Sequence, residues 1–519
     1  MRTTSSFGTR RLLSLATLAG VLLAAGCDFD ILNTNSPTED ELTNNPSRLA
    51  LARAATGVFA NNFTDVGGDI QFYTIYGREG YNLLGNDPRE TGEMISGPQD
   101  PGGRAGGLWL VKYQAIRTLN TYLRALGATA NLTTTEVAAS LGFAQTMKAF
   151  MFLRLTVRSG ALGLPIDVDR PIDAEPAPFV SQQRGFEYVV ALLDSAKTNL
   201  QAGGSAFPFP IAPGFESFNT PTLFLQFNRA LMARAQVFRA TFVSCGAPCW
   251  QDAMTALGES FITTAGLPAN LSLGTSWGYS SASGEPANPI TEDSAAVRYF
   301  VHPSLAALVQ NQAGGAPDAR WSGKTLTVAP RDLNGVSSTL KPVMFNSTAD
   351  RAVADLGADI AMIKNEELLL LRAEANLGLG NKAAAIADID SVRVGSGGLA
   401  PPPLRLRART TSSSPRSCTT GCCPCSGSRA SGGSTRAGTG GSLPCRSIGP
   451  AIRCSRACWC RPASVMPGGS RRPAHRRSRH SRRDSSERNG AREKPWAPLF
   501  LLRPRAGSGS ISAPRWPGP

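Results

Sequence analysis

The sequence predicts an all-α body, a tetratricopeptide-like scaffold of helical pairs with long irregular loops. Three observations predict it. Apolar residues between positions 45 and 395 recur with the 3.6-residue period of a helix face. Ser, Thr and Pro stand where those periodic stretches begin, as helix starts require. Two closely spaced helices around residue 380 carry small residues at the separation found in a tetratricopeptide hairpin.

Asn45-Pro46-Ser47 opens the first helix, to about Phe63, with Pro46 in the first turn, where its missing N–H costs nothing. Trp109, Tyr113, Ile116, Leu119, Leu123 and Leu126 mark one face of a second. A third covers roughly 135–158, capped by Thr133 or Thr134, and Phe143, Met147, Phe150, Met151 and Leu155 form its broad apolar face. A fourth spans about 181–202 through Phe186, Val189, Val190, Leu193 and Leu200. A fifth covers 221–243, led by Pro221 after Thr220, and a sixth runs from Trp250 to Phe261. Two more cover 359–379 and 381–393. Between them Gly380 can take the left-handed conformation that ends a helix, and Ala373 and Ala385 let the two backbones approach. The pairs 135–158/181–202 and 221–243/249–261 read as looser versions of the same unit. The stretches 64–106, 160–180, 203–220 and 262–357 read as loops, and long loops on a rigid scaffold commonly carry function.

The chain begins with a basic head of Arg2, Arg10 and Arg11, followed by the uncharged run Leu12 to Ala25. That run falls short of the roughly 20 residues a membrane-spanning helix needs, so it reads as a secretory signal. Leu23-Ala24-Ala25-Gly26-Cys27 resembles the bacterial lipobox, in which the Cys thiol is acylated and becomes the first residue after cleavage. Residues 1–26 are therefore expected to be a lipoprotein signal peptide, Cys27 the lipid anchor (palmitate or a related acyl chain), and 27–44 a post-anchor linker.

The net charge of +15 suggests a nucleic-acid partner, but its distribution does not. Of 53 basic and 38 acidic residues, 23 basic and 3 acidic ones follow residue 395, leaving 30 against 35 before it. Residues 396–519 form a low-complexity basic tail that also holds eight of the eleven cysteines. It reads as a disordered basic arm, or as the product of a shifted reading frame near residues 395–405, the reading we prefer; a zinc cluster around Cys422, Cys425, Cys454 and Cys458 is disfavoured by their irregular spacing. No nucleic-acid partner is expected. Cys245 and Cys249 either close a small loop or stay as two thiols. His302 is the one histidine of the body, and no H-E-x-x-H, nucleophile elbow or phosphate loop is present, so neither a metal nor a cofactor is expected.

Several segments carry a family likeness. Asp30-Ile31-Leu32-Asn33 and Asn35-Ser36-Pro37-Thr38 follow the anchor. Trp109, Tyr113, Ile116 and Asn120 share a helix; Ala149 to Leu155 precedes Gly163-Leu164-Pro165; and Glu366 to Arg393 forms the last helical pair. In this order they resemble the SusD/RagB family of outer-membrane nutrient-binding lipoproteins, over about residues 23–400. The segment Gly-His-Arg-Trp-x-Asp-Leu that usually follows in that family is missing here. The resemblance implies a SusD-like body over 45–395, anchored at the cell outer membrane and surface-exposed. It also implies a protein that captures glycans or other nutrients and passes them to a TonB-dependent, SusC-like transporter. It implies no catalysis.

Sugar capture needs aromatic faces beside amides and carboxylates. Tyr73, Tyr76, Tyr81 and Asn82 form one candidate cluster, Trp277 and Tyr279 another, with Trp321 a third position. Each of these side chains can equally fill the core or pin its loop, and Trp109 reads as core. Two other classes stay open: a tetratricopeptide-type assembly scaffold, or a glycan-degrading enzyme with Glu366, Glu367, Asp388 and Asp390 as the available carboxylates.

Overall fold

The computed structural model describes residues 37–401 apart from 64, 101 and 172. The signal segment, Cys27 and the tail beyond 401 lie outside the described residues.

The described body is mostly helical, and local capping chemistry sets most helix starts. Helix α1 (Glu39–Thr43) opens on a capping box between Thr38 and Glu41. In α2 (Arg48–Asn62) the Ser47 hydroxyl accepts from the Ala50 N–H at 3.1 Å. Ser47 is therefore the cap, and Pro46 lies before the helix rather than in its first turn. Helix α3 (Val66–Tyr76) occupies part of a stretch expected to be loop. Strand β1 (Gly80–Asn82) follows, then a π-helical turn over Arg89–Glu93 and one α turn over Met94–Ser96. Helix α4 (Arg104–Ala128) precedes α5 (Thr134–Ser159), which Thr133 and Glu136 open with a second capping box.

After the short strands β2 (Leu164–Pro165) and β3 (Phe179–Val180), α6 (Gln182–Gln201) is capped by Ser181. Thr220 caps α7 (Pro221–Val243), with Pro221 in its first turn as expected. Helix α8 (Ala247–Gly258) starts and ends three residues earlier than its apolar pattern suggested, and a Cys245–Cys249 disulfide spans its start. Next come β4 (Gly274–Trp277), β5 (Tyr299–Val301), α9 (Ala319–Lys324), and the hairpin β6 (Thr325–Leu333) and β7 (Val336–Pro342).

The helix expected over 359–379 divides. Its first residues form strand β8 (Ile360–Lys364), which pairs with β4, and α10 (Asn365–Gly378) begins only afterwards. A short apolar run such as Ile360 to Ile363 does not distinguish strand from helix by period, and here the free edge of β4 decides it. Gly380 has φ +83, ending α10 as expected, and α11 (Lys382–Gly397) closes the described body.

Packing follows chain order. Helix α4 lies on α5, α5 on α6, α6 on α7, α7 on α8, α8 on α10 and α10 on α11. The expected pairs α5/α6, α7/α8 and α10/α11 are all present. One hydrophobic cluster joins them: Phe143, Met147, Phe150, Met151 and Leu155 of α5 are all buried, as are Phe186, Val189, Leu193 and Leu200 of α6. Ala373 and Ala385 are buried in the α10/α11 pair. Trp109 packs against this cluster partly buried, as the helical pattern indicated. The strands form four two-stranded antiparallel sheets, β1–β5, β2–β3, β4–β8 and β6–β7, all within the long connections.

The residues of the family-like motifs hold this frame together. Tyr113 Oη donates to the Pro165 carbonyl at 2.8 Å and Asn120 Nδ2 to the Val168 carbonyl at 3.5 Å, so α4 holds the segment leaving α5.

Candidate functional site

Helix α3 presents two opposite faces. Ile70, Gln71, Thr74 and Ile75 line a cavity of about 490 Å³. Asp69, Phe72, Tyr73 and Tyr76 lie on the other face, and Asp69 anchors the helix. Its Oδ1 accepts from Lys112 Nζ at 2.8 Å and Arg158 Nη1 at 3.2 Å, and its Oδ2 from Arg154 Nη2 at 2.6 Å. Lys112 comes from α4 and the two arginines from α5, so one buried carboxylate ties the cavity wall to the scaffold. Burial, with Arg154 nearby, lowers the Lys112 ammonium to about 8 despite its acidic partners. The Arg158 guanidinium also stacks over Phe72, 4.2 Å from the ring centre.

The remaining walls come from segments far apart in sequence. Strands β1 and β5 pair antiparallel with Tyr81 opposite Phe300, and both residues line the cavity. The turn Pro303–Leu308 supplies Leu305 and Leu308, α9 supplies Trp321 and Lys324, and the segment after β7 supplies Met344 and Phe345. A satellite core of Ile75, Tyr81, Leu83, Met94 and Phe300 supports the α3 and β1–β5 side. Behind that wall the fully buried Lys341 donates to Glu292 at 2.6 Å and stands 5.3 Å from the centre of the Phe300 ring.

The structure separates the expected ligand-binding candidates. Tyr81 is buried, with its ring 5.2 Å from His302, and it lines the cavity, as does Trp321. Tyr73 and Tyr76 are 46% and 42% exposed on the opposite face of α3, where Tyr76 stacks on Phe72 at 4.7 Å. Asn82 is fully buried: its Nδ2 donates to Glu90 at 2.6 Å, and its Oδ1 accepts from the Leu84 N–H. Trp277 is 8% exposed, donates its indole N–H to the Asn62 carbonyl at 3.0 Å and packs near Phe150. Tyr279 stands edge-on to Phe63 at 5.5 Å, and burial pushes its phenol up to about 12. The four-residue cluster therefore divides, Asn82 and Trp277 take structural places, and neither Trp277 nor Tyr279 lines the cavity. Tyr299, Phe300, Met344 and Phe345, which the sequence did not single out, do line it.

The carboxylates considered for hydrolysis are engaged elsewhere. Glu367 accepts Arg234 at 2.6 and 2.7 Å, and Asp388 accepts Arg372 at 2.6 and 2.9 Å. Burial raises the Glu366 carboxyl, but Lys364 and Ser396 outweigh it and hold the group below its ordinary range. Among the described residues no group of three or more His, Cys, Asp or Glu is placed to hold a metal ion, and no helix is long and apolar enough to cross a membrane.

A stack of helical pairs with a loop-built cavity defines the class. No family model matches the chain, and no curated protein does. Among solved structures it is similar to NanU of B. fragilis, with a TM-score of 0.49 at 13% identity over 70% of this chain and 80% of that one. It is similar to a SusD superfamily protein of Bacteroides thetaiotaomicron, at 0.48 and 14% over 67% and 80%. A SusD superfamily protein of Bacteroides vulgatus gives 0.49 and 13% over 68% and 81%. A further solved structure reaches 0.50 at 13% identity, over 70% of this chain and 78% of its own length. At 13% identity the likeness to this last structure is one of fold alone.

Proposed function

We propose that this protein is a surface lipoprotein of the outer membrane, tethered through Cys27, that binds a glycan or other nutrient and delivers it to a TonB-dependent transporter without catalysis. The observation that carries the binding role is the aromatic-walled cavity of about 490 Å³, a volume within the usual range for small-ligand sites, mounted on a braced helical scaffold. The lipobox and the order of the sequence motifs support the tether and the transporter partner. Engagement of Glu367 and Asp388 in ion pairs argues for a binding role over hydrolysis.

The test is to express the full chain in a bacterium whose outer membrane carries TonB-dependent, SusC-like transporters. The wild type is expected in the outer-membrane fraction, labelled by a palmitate analogue and co-purifying with a β-barrel transporter. Cys27→Ser is expected to lose label and membrane association together. A wild-type protein that is unlabelled, or that never co-purifies with a transporter, overturns the reading.

A further inference from the structure

Several of the polar groups lining the cavity are already satisfied within the protein. Thr291 Oγ1 donates to the Phe345 carbonyl at 2.8 Å, and Thr325 Oγ1 to the Trp321 carbonyl at 2.8 Å. Asn346 Nδ2 donates to the Glu292 and Arg351 carbonyls, each at 3.0 Å. Arg320 and Asp318 satisfy each other through contacts at 2.6 and 3.0 Å. What faces an incoming ligand is largely the apolar surface of Ile70, Ile290, Leu305, Val309 and Phe345, with the Trp321 ring.

The opening has the same character. Leu308 and Met344 line the cavity and are 73% and 50% exposed, so the rim offers hydrocarbon to solvent. Single exposed apolar side chains are ordinary, whereas two at the mouth of one apolar cavity extend its surface outward.

A sugar ring carries a hydroxyl on nearly every carbon. Each hydroxyl buried without a partner weakens binding by about tenfold. An aromatic or aliphatic body loses nothing on entering and gains by displacing water from these walls. We propose that the cavity selects a small ligand whose larger part is an aromatic or aliphatic body, and that it rejects a bare oligosaccharide. Glu79 and Lys324 line the cavity and enter no ion pair among the described residues, so they remain to receive the polar end of that ligand. This inference rests on reading the cavity as the nutrient site.

The test compares two probes of similar size by titration calorimetry on the full-length, detergent-solubilised lipoprotein. One is p-nitrophenyl β-glucoside and the other is cellobiose, in which a second sugar replaces the aryl ring. The aryl glucoside is expected to bind about tenfold tighter or better. Leu305→Asn, which places an amide in the wall, is expected to erase that preference with helical circular dichroism unchanged. Trp321→Ala is expected to weaken the aryl probe about tenfold and leave cellobiose unaffected. Cellobiose binding as tightly as the aryl glucoside overturns the inference while leaving nutrient binding intact. Silence of the wild type toward both the aryl glucoside and the apolar dye anilinonaphthalene sulfonate also overturns it. Failure of the nutrient-uptake reading is seen separately, as loss of transporter co-purification.

Discussion

Trp277 and Tyr76 were equivalent candidates as letters in a sequence, and their surroundings make them opposites. Trp277 fills core beside Phe150 and satisfies the Asn62 carbonyl, whereas Tyr76 lies on an exposed face. Trp277→Ala is expected to cost about 3–5 kcal/mol, and Tyr76→Ala to stay within about 0.5 kcal/mol, both read from urea midpoints. Equal effects would remove the structural role assigned to Trp277. Lys112 makes a second residue-scale prediction. Its pKa falls from an ordinary 10.5 to about 8. Between those values the unfolded chain holds a proton that the folded one has released, so this group makes stability rise with pH across that window. The burden of burying its charge is complete below about pH 8 and fades above it. Lys112→Met is expected to flatten the slope of stability against pH between about 8 and 10 relative to wild type. Parallel slopes in the two proteins would contradict the assignment.

At the scale of the element, capping and periodicity were legible, and two elements were not read although their signals differed in kind. Helix α3 carries Gly67-Gly68 in its first turn, and glycine is a poor helix former. A Cβ on Gly67 would stand 2.9 Å from Pro289, and one on Gly68 would lie 2.9 Å from Leu108, so packing selects residues that local propensity disfavours. No signal in the segment itself announces that helix. The β6–β7 hairpin did carry one: Asn334-Gly335 lies between Leu333 and Val336, with φ +51 and +79, the pair a tight hairpin turn favours. The turn lies inside 262–357, where the surrounding Gly- and Pro-rich composition masks it. Gly335→Val is expected to cost about 1–2 kcal/mol, because a branched side chain strongly disfavours that left-handed conformation. The same change is expected to weaken aryl-glucoside binding, since Thr325 and Pro342 at the open end of the hairpin line the cavity. A variant as stable as wild type would show that the turn adapts.

Within the described body, helices α4 to α8 and α10 share one hydrophobic cluster, so damage to an inner helix should spread. Leu193 of α6 is fully buried between α5 and α7. Leu193→Ala is expected to lower stability by about 2–5 kcal/mol and to shift near-UV and far-UV circular dichroism transitions together. Separate transitions would indicate independently stable pairs. The longer helices other than α3, the caps at Thr133 and Thr220 and the three helical pairs could be read from the sequence, because the burial of one face repeats every three or four residues and a cap is settled by its immediate neighbours. The candidate aromatics could be named but not placed. Tyr73 and Tyr81 are eight positions apart and fall on opposite sides of α3, one in solvent and one in the cavity. Only the tertiary structure decided this, because a cavity is the space left between segments, and its walls run from Ile70 to Asn346 without any local pattern that records their meeting.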